Sequence, residues 1–468
     1  MLITRADIGA KELCDLRLAE GRVYEMGCDL DPEPGEWEID AEGATVIPGL
    51  HDHHIHLMAL AAASDSVHCG PPEVNSPEEL SQALALWEGA GAWIRGVGYH
   101  DSVAGELDRH RLDELYNRRP VRIQHRSGAM WIVNSLGAQA LGLDGDDPPP
   151  DIERDESGQA TGQLFRMDHW LRDRWEKEQS VPNLKKLSLR LASYGVTGLT
   201  DATPTNGQAE LSIFEDALAK GELLQHLMVM GSGQLPLPNH PLALRGAFKI
   251  MLDDVSLPAF ESLHWQIERA HMAERPVAIH CVTRASLLLA LGVFMEAHTI
   301  PGDRIEHSGV TPPEALDIIQ KLPITVVTQP NFIHERGDAY LTDVDPKDQP
   351  WLYRCRAFLD AEVPLGGGTD APFGHPDPWR AMRAAVERTT TAGQVMGPDE
   401  RLTPEQALGL FTSSPETPGI PAPAIRLGMR ADLCLLDRPW SEARENLSSD
   451  CLRATIRAGE VIWAKSAL

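Results

Sequence analysis

Short apolar runs of strand length punctuate most of this chain, and stretches with helical periodicity fill the gaps between them. Runs at Gly195–Asp201, Gln225–Met230, Phe248–Leu252, Val277–His280, Arg304–His307, Ile324–Thr328 and Val363–Thr369 have the length and continuity of strands buried on both faces. Apolar positions recur at helical spacing over Leu184–Tyr194, Leu211–Leu223, Phe260–Glu274, Leu287–His298, Pro313–Leu322 and Leu352–Ala361. An earlier run, Thr45–His56, opens the series. Eight alternating strand–helix units predict an α/β fold, a (β/α)8 TIM barrel with its active site at the carboxyl ends of the strands.

The two ends of the chain read differently. Cys14–Leu18 and Arg22–Met26 at one end, and Ala431–Asp437, Leu452–Ile456 and Val461–Ala464 at the other, are short strands separated by turns. They predict a small β-sandwich built from residues 1–46 and 416–468. The barrel then takes 47–62 and 184–415. Residues 63–183 are too long for a loop and carry strands of their own at Trp93–Gly98 and Val121–His125, with the turn-rich Asp144–Pro150 beyond. They predict an inserted α+β domain that caps the substrate.

The first run ends in Leu50-His-Asp-His-His-Ile-His56. Alternate side chains of a strand share a face, so His54 and His56 aim two imidazoles at one point, with Asp52 on the same side. That is half of a tetrahedral metal site. His51, His53 and Ile55 point the other way. A surface histidine cluster is the plainer reading, but the pair follows a strand that reads as buried.

Further polar residues close or interrupt later runs: Lys249 within Phe248–Leu252, His280, His307, and Asp370 after the Gly366-Gly-Gly368 turn. Singly, a strand-end histidine is more often structural and a strand lysine more often snorkels to solvent. As an ordered set on strands one, four, five, six and eight they point to one centre.

Composition narrows the class. With 42 basic against 69 acidic residues, the formal charge of −27 disfavours nucleic acid and anionic membranes as partners. Seven scattered cysteines without a C-x-x-C pair predict reduced thiols and a cytoplasmic setting. The first residues lack the apolar core of a signal peptide, and no run is long enough to span a membrane. A small-molecule substrate is the expected partner, and a homo-oligomer is compatible with this composition.

Pro48–Leu57, the strand-end His280 and His307, and Gly368-Thr-Asp-Ala-Pro372 together resemble the amidohydrolase superfamily of metal-dependent hydrolases. Trp93–Tyr99, Trp131–Ser135, Thr161–Leu164, Gly195–Thr197, Arg304–His307, Gln329-Pro330 and Gly428–Leu433 resemble its amidohydrolase-3 subgroup. The resemblance implies metal ligation by His54, His56, His280, His307 and Asp370, with Lys249 as a bridging ligand after CO2 converts it to a carbamate. It implies one or two divalent metals per chain, zinc by default. The expected reaction is hydrolysis of an amide, formamide, cyclic imide or urea-like C–N bond by activated water, with Asp370 as general acid/base. Tyr99, His125, Trp131 and Gln329 are the candidate substrate-binding residues.

This chain also departs from the subgroup. His280-Cys-Val-Thr-Arg284 lacks the usual acidic residue, Leu252–Ser256 is shortened, and Ser127–Met130 lacks a histidine. Those changes bear on substrate contacts. An aminohydrolase acting on a heterocycle and an ester or lactone hydrolase are the alternative enzymes. A scaffold that has lost its metal is the non-enzymatic alternative, against which the retained ligand set argues. No G-x-S-x-G elbow is present, and His334-Glu-Arg-Gly-Asp338 lacks a zincin's second histidine.

Overall fold

The run that ends in the histidine pair is strand β1 (Leu50–Ile55), buried along its whole length. Seven more follow: β2 (Val196–Asp201), β3 (His226–Gly231), β4 (Ala243–Met251), β5 (Val277–Cys281), β6 (Arg304–His307), β7 (Thr325–Thr328) and β8 (Leu365–Gly367). They form one eight-stranded sheet in chain order, each pair parallel. The computed structural model describes residues 1–468 apart from 11, 72, 88–91, 146–151, 168–169, 172–173, 175–181, 421–423 and 467–468.

The sheet is nearly closed. Beyond the end of β8, Asp370 N donates to the His54 carbonyl at 2.8 Å and His56 N to that of Ala371 at 2.9 Å. Outward side chains such as Ile250, Ile279, Cys281, Ile305 and Val326 pack beneath the helices in one continuous core. The inward positions between them (Asp52, Lys249, His280, Arg304, Glu306) are buried or half-buried polar groups. Burying charge is costly without a partner, so this interior is specialised.

Helices Leu184–Ala192, Gln208–Ala219, Phe260–Met272, Arg284–Glu296 and Pro313–Ile319 fall within the predicted stretches or shift by a turn or less. The helix after β7 differs. It is Asn331–Asp343, whereas Leu352–Ala361 holds only a short helix, Arg356–Asp360, preceded by a 3-10 turn at Gln349–Trp351. The buried face of Asn331–Asp343 is narrow and includes Gly337, where a Cβ would stand 2.5 Å from Thr390 Cγ2; a stripe that ends in glycine gives little hydrophobic signal. Two proline-started helices after β8, Pro378–Glu387 and Pro404–Thr412, also escaped the pattern. Strand β8 is shorter than the predicted Val363–Thr369.

Two four-stranded sheets come from the chain ends. One holds Leu2–Ala6, Cys14–Ala19, Arg22–Gly27 and Glu38–Asp40; the other holds Val46–Pro48, Leu433–Leu436, Leu452–Arg457 and Glu460–Ala464. Ile3, Leu16, Val23 and Ile39 share a core with Val46, Leu433, Leu435 and Ile456, which makes the pair a sandwich. It is tied to the barrel where Thr455 Oγ1 donates to the Ala192 carbonyl at 2.7 Å.

A second compact unit comprises Met58–Asn183. Its five-stranded mixed sheet runs Gln163–Phe165, Met130–Val133, Val121–His125, Ile94–Tyr99, Val67–His68, with apolar clusters around Ile94 and Ile132 and around Trp131 and Leu164. Of Asp144–Pro150, residues 146–150 lie outside the described ones. Among the described residues no helix is long and apolar enough to cross a membrane.

Candidate metal centre

Strand parity sorts the histidines of β1 as read from the sequence. His51 and His53 lie outside the barrel, rings 4.6 Å apart, and bond Thr200 Oγ1 at 2.8 Å and Ser413 Oγ at 3.0 Å. Asp52 faces inward and accepts from the amide and hydroxyl of Thr369, which binds the end of β8 to β1. Gly368 allows this approach: a Cβ there would stand 2.5 Å from His54 Cβ and 2.8 Å from its nitrogen. The glycine run therefore brings β8 against the backbone of His54, which places Asp370 beside the imidazoles.

His54, His307 and Asp370 each present one ligand atom, all within 4.8 Å of one another, and all three are buried. Asp370 Oδ1 lies 3.1 Å from His56 Nε2 and 3.5 Å from His54 Nε2. The His280 ring meets that of His307 edge-on at 4.4 Å. His307 and Asp370 have φ of 68° and 55°. Left-handed backbone at non-glycine residues costs of order 1 kcal/mol and tends to cluster at functional sites.

The other ring nitrogens are engaged. His54 Nδ1 donates to the buried Glu306 carboxylate, His307 Nδ1 to Gln329 Oε1 at 2.7 Å, and His56 Nδ1 pairs with Thr203 Oγ1 at 2.9 Å. A proton held on Nδ1 leaves a lone pair on Nε2. In His54 that lone pair faces a carboxylate oxygen, an arrangement of acceptors that calls for a cation between them. Burial first, then Lys249, holds His54 below its ordinary pKa; burial and the neighbouring Lys249 bring His280 to about 3, and burial with His280 holds His307 well below. These rings are neutral at pH 7, the ligating form. Burial works to raise the Asp370 pKa and the surrounding His54, His56 and His307 to lower it, and the net direction is down.

Lys249 projects inward from β4 with Nζ buried and without a hydrogen-bond partner. It does not pair with Asp254, which accepts from Thr283 Oγ1 at 2.5 Å. Burial lowers its pKa to about 8. Cys281, the last residue of β5, points outward into the core, and Thr283 caps the next helix.

Gln329 is fully buried, and Nε2 is left without a partner. Tyr99 is in the core of the inserted unit, its hydroxyl donating to the Gly105 carbonyl. Trp131 is also buried there, with the guanidinium groups of Arg95 and Arg122 5.3 and 5.8 Å from its ring centre. His125 is half-buried and pairs with Ser127 Oγ at 2.8 Å.

The sequence reading passed over Glu306 and Arg304. Arg304 Nε donates to Glu306 Oε1 at 2.5 Å and Nη2 to the His53 carbonyl at 3.1 Å. The signal was available: two charges at alternate positions of a strand buried on both faces must face inward together.

Neutral imidazoles directed at a carboxylate at the mouth of a parallel barrel place the molecule among the metal-dependent hydrolases. A model described as "Amidohydrolase family" matches residues 38–463. The chain belongs to the amidohydrolase family. It is 27% identical to the N-substituted formamide deformylase of Arthrobacter pascens, over 89% of each chain. It is 24% identical to the putative amidohydrolase YtcJ of Bacillus subtilis (strain 168), over 92% of each. An uncharacterized metal-dependent hydrolase from Pyrococcus horikoshii OT3 superposes with a TM-score of 0.73 at 22% identity, over 93% of this chain and 96% of that one.

Proposed function

We propose that the chain hydrolyses a non-peptide carbon–nitrogen bond in a small, partly hydrophobic amide, formamide, cyclic imide or urea-like compound. The observation that carries this reading is the convergence of His54, His56 and Asp370 with the histidines' Nδ1 atoms already bonded. The likeness to a formamide deformylase supports the bond type. His54, His56, His280, His307 and Asp370 would hold a divalent metal, zinc by the preference of imidazole-rich sites, which supplies Lewis acidity toward water and carbonyl.

Asp370 accepts the proton of the attacking water as the C–O bond forms and the carbonyl π bond opens, and returns it to the nitrogen as the carbonyl re-forms and the C–N bond breaks. Gln329 holds His307 through Oε1 and offers its buried Nε2–H to the substrate carbonyl. Lys249 is the residue we assign to a second metal: its neutral amine adds CO2 and loses a proton, which turns an uncompensated buried amine into an anionic carbamate. Of the candidates on the inserted unit, His125 is the one with an accessible ring, while Tyr99 and Trp131 are packed into its core.

The test is a screen of N-formyl, N-acyl and cyclic-amide libraries with zinc-reconstituted protein and its Asp370→Asn variant. Metal-dependent release of amine or ring opening, absent from the variant, is expected. Turnover confined to esters and lactones, or ammonia released from heterocycles, would replace this reading with one of its alternatives.

A further inference from the structure

The helix Arg284–Glu296 that follows β5 is apolar on the face turned to solvent. Leu287, Ala290, Leu291, Val293 and Phe294 are buried against the barrel. On the opposite side stand Ala285, Leu288, Gly292 and Met295, with Leu288 37% and Met295 62% exposed. A helix apolar all round is normally covered on all sides. In a chain of charge −27 an uncharged stripe of this kind needs a reason.

The spacing supplies one. Positions 285, 288, 292 and 295 are separated by three, four and three residues, the seam of a coiled-coil-like pair. Small and large side chains alternate along it, and the order is symmetric about Ala290. Turned end for end, a second copy sets Leu288 over Gly292 and Met295 over Ala285. A side chain seated on Gly292 would also meet the Phe260 ring, whose edge lies 3.6 Å from where a Gly292 Cβ would stand.

The charges agree with this orientation. Arg284 stands at the positive amino end of its helix and Glu296 at the negative carboxyl end, each against its own helix dipole. An antiparallel copy brings Arg284 level with the opposite Glu296, and each charge then faces the complementary dipole end. Arg284 also pairs with Asp348 of its own chain at 3.4 Å, with its side chain still 38% exposed. The seam, about 20 Å long, is narrower than the roughly 800 Å² per protomer of a stable interface. The adjacent helix Phe260–Met272 also exposes large apolar side chains, Trp265 at 59% and Met272 at 76%.

We propose that this face is the isologous interface of a homodimer, with two Arg284–Glu296 helices packed antiparallel about a twofold axis near Ala290. Its test is sedimentation velocity on the zinc-loaded protein across a concentration series, together with Leu288→Glu and Met295→Glu. A wild-type dimer is expected, and each variant should raise its dissociation constant at least ~100-fold by placing two unpaired charges in the seam. Because both positions are exposed, circular dichroism should show both variants folded. A wild-type monomer throughout, or an oligomer indifferent to both variants, overturns the proposal. The register is tested by cysteine cross-linking with the exposed Cys28 changed to serine. Ala285→Cys with Met295→Cys should give a covalent dimer, and neither single variant should. A cross-linked Ala285→Cys single variant would mean parallel helices and would also overturn it.

Discussion

Replacing Glu306 with glutamine tests how the centre is built. The wild-type carboxylate is fully buried between the His54 Nδ1–H and the guanidinium of Arg304, itself only 3% exposed. Burial works to raise its pKa, but Arg304, Lys249 and His54 outweigh that effect and keep it ionised. Glutamine preserves the shape and one acceptor but removes the charge. Among the described residues, the hydrogen-bond partners left to the buried Arg304 are then the neutral glutamine oxygen, the His53 carbonyl and the sulfur of Met230. Removing one partner of a buried pair costs about 3–5 kcal/mol; because glutamine keeps an acceptor, the lower end applies. The His54 ring also loses its charged anchor, and losing such an outer partner typically weakens metal binding 10–100-fold, or roughly 1.4–2.7 kcal/mol. Two measurements separate these effects: urea unfolding of chelator-treated protein, and calorimetric titration of the same samples with zinc. Both should shift. Arg304→Met combined with Glu306→Leu should recover much of the stability but not the zinc affinity. Wild-type zinc affinity in Glu306→Gln would refute the claim that this carboxylate aims His54.

Other expectations follow from the same geometry. Asp370→Asn should retain zinc on the histidines while kcat falls roughly 10²–10⁴-fold, read by turnover alongside metal content. Lys249→Met should abolish a carbamate carbon signal in protein equilibrated with ¹³C-bicarbonate, and its metal-free form should unfold no more easily than wild type, since a desolvated amine is removed. Gly368→Ala should lower stability by about 1–3 kcal/mol by pushing β8 off the His54 backbone, and should weaken zinc binding as Asp370 moves. For pH, burial lowers His280 to about 3, and His54 and His307 are shifted down as well. The unfolded chain therefore takes up protons first, and metal-free protein should lose stability as pH falls from about 6.5 toward 3. Asp52, raised to about 7 by burial, acts in the opposite sense: its contribution is full below about 4 and lost as pH rises through 7. A urea midpoint no lower at pH 5 than at pH 7.5 would contradict the dominance of the three imidazoles.

Much of this molecule is legible in one dimension. Strands buried on both faces read as largely apolar runs, so the order of the barrel follows from run length and spacing. The period of two along β1 assigns His54 and His56 to one side and His51 and His53 to the other, because alternation is a local property of extended chain. The remaining candidate ligands, Lys249, His280, His307 and Asp370, came from strand-end positions and from the family resemblance. The helix Asn331–Asp343 was not legible, because its buried face is narrow and interrupted by Gly337.

What the chain alone determined, then, is which residues stand at strand ends and, along β1, which way they face. Only the nearly closed barrel decided what they meet. The Arg304–Glu306–His54 line joins β6 to β1 across the interior. Gln329 on the far end of β7 turns out to hold His307, and Gly368 allows a contact between the first and last strands. Each is a contact between residues distant along the chain. Local sequence determines a side chain's direction, but its partner is set by the curvature and register of the whole sheet.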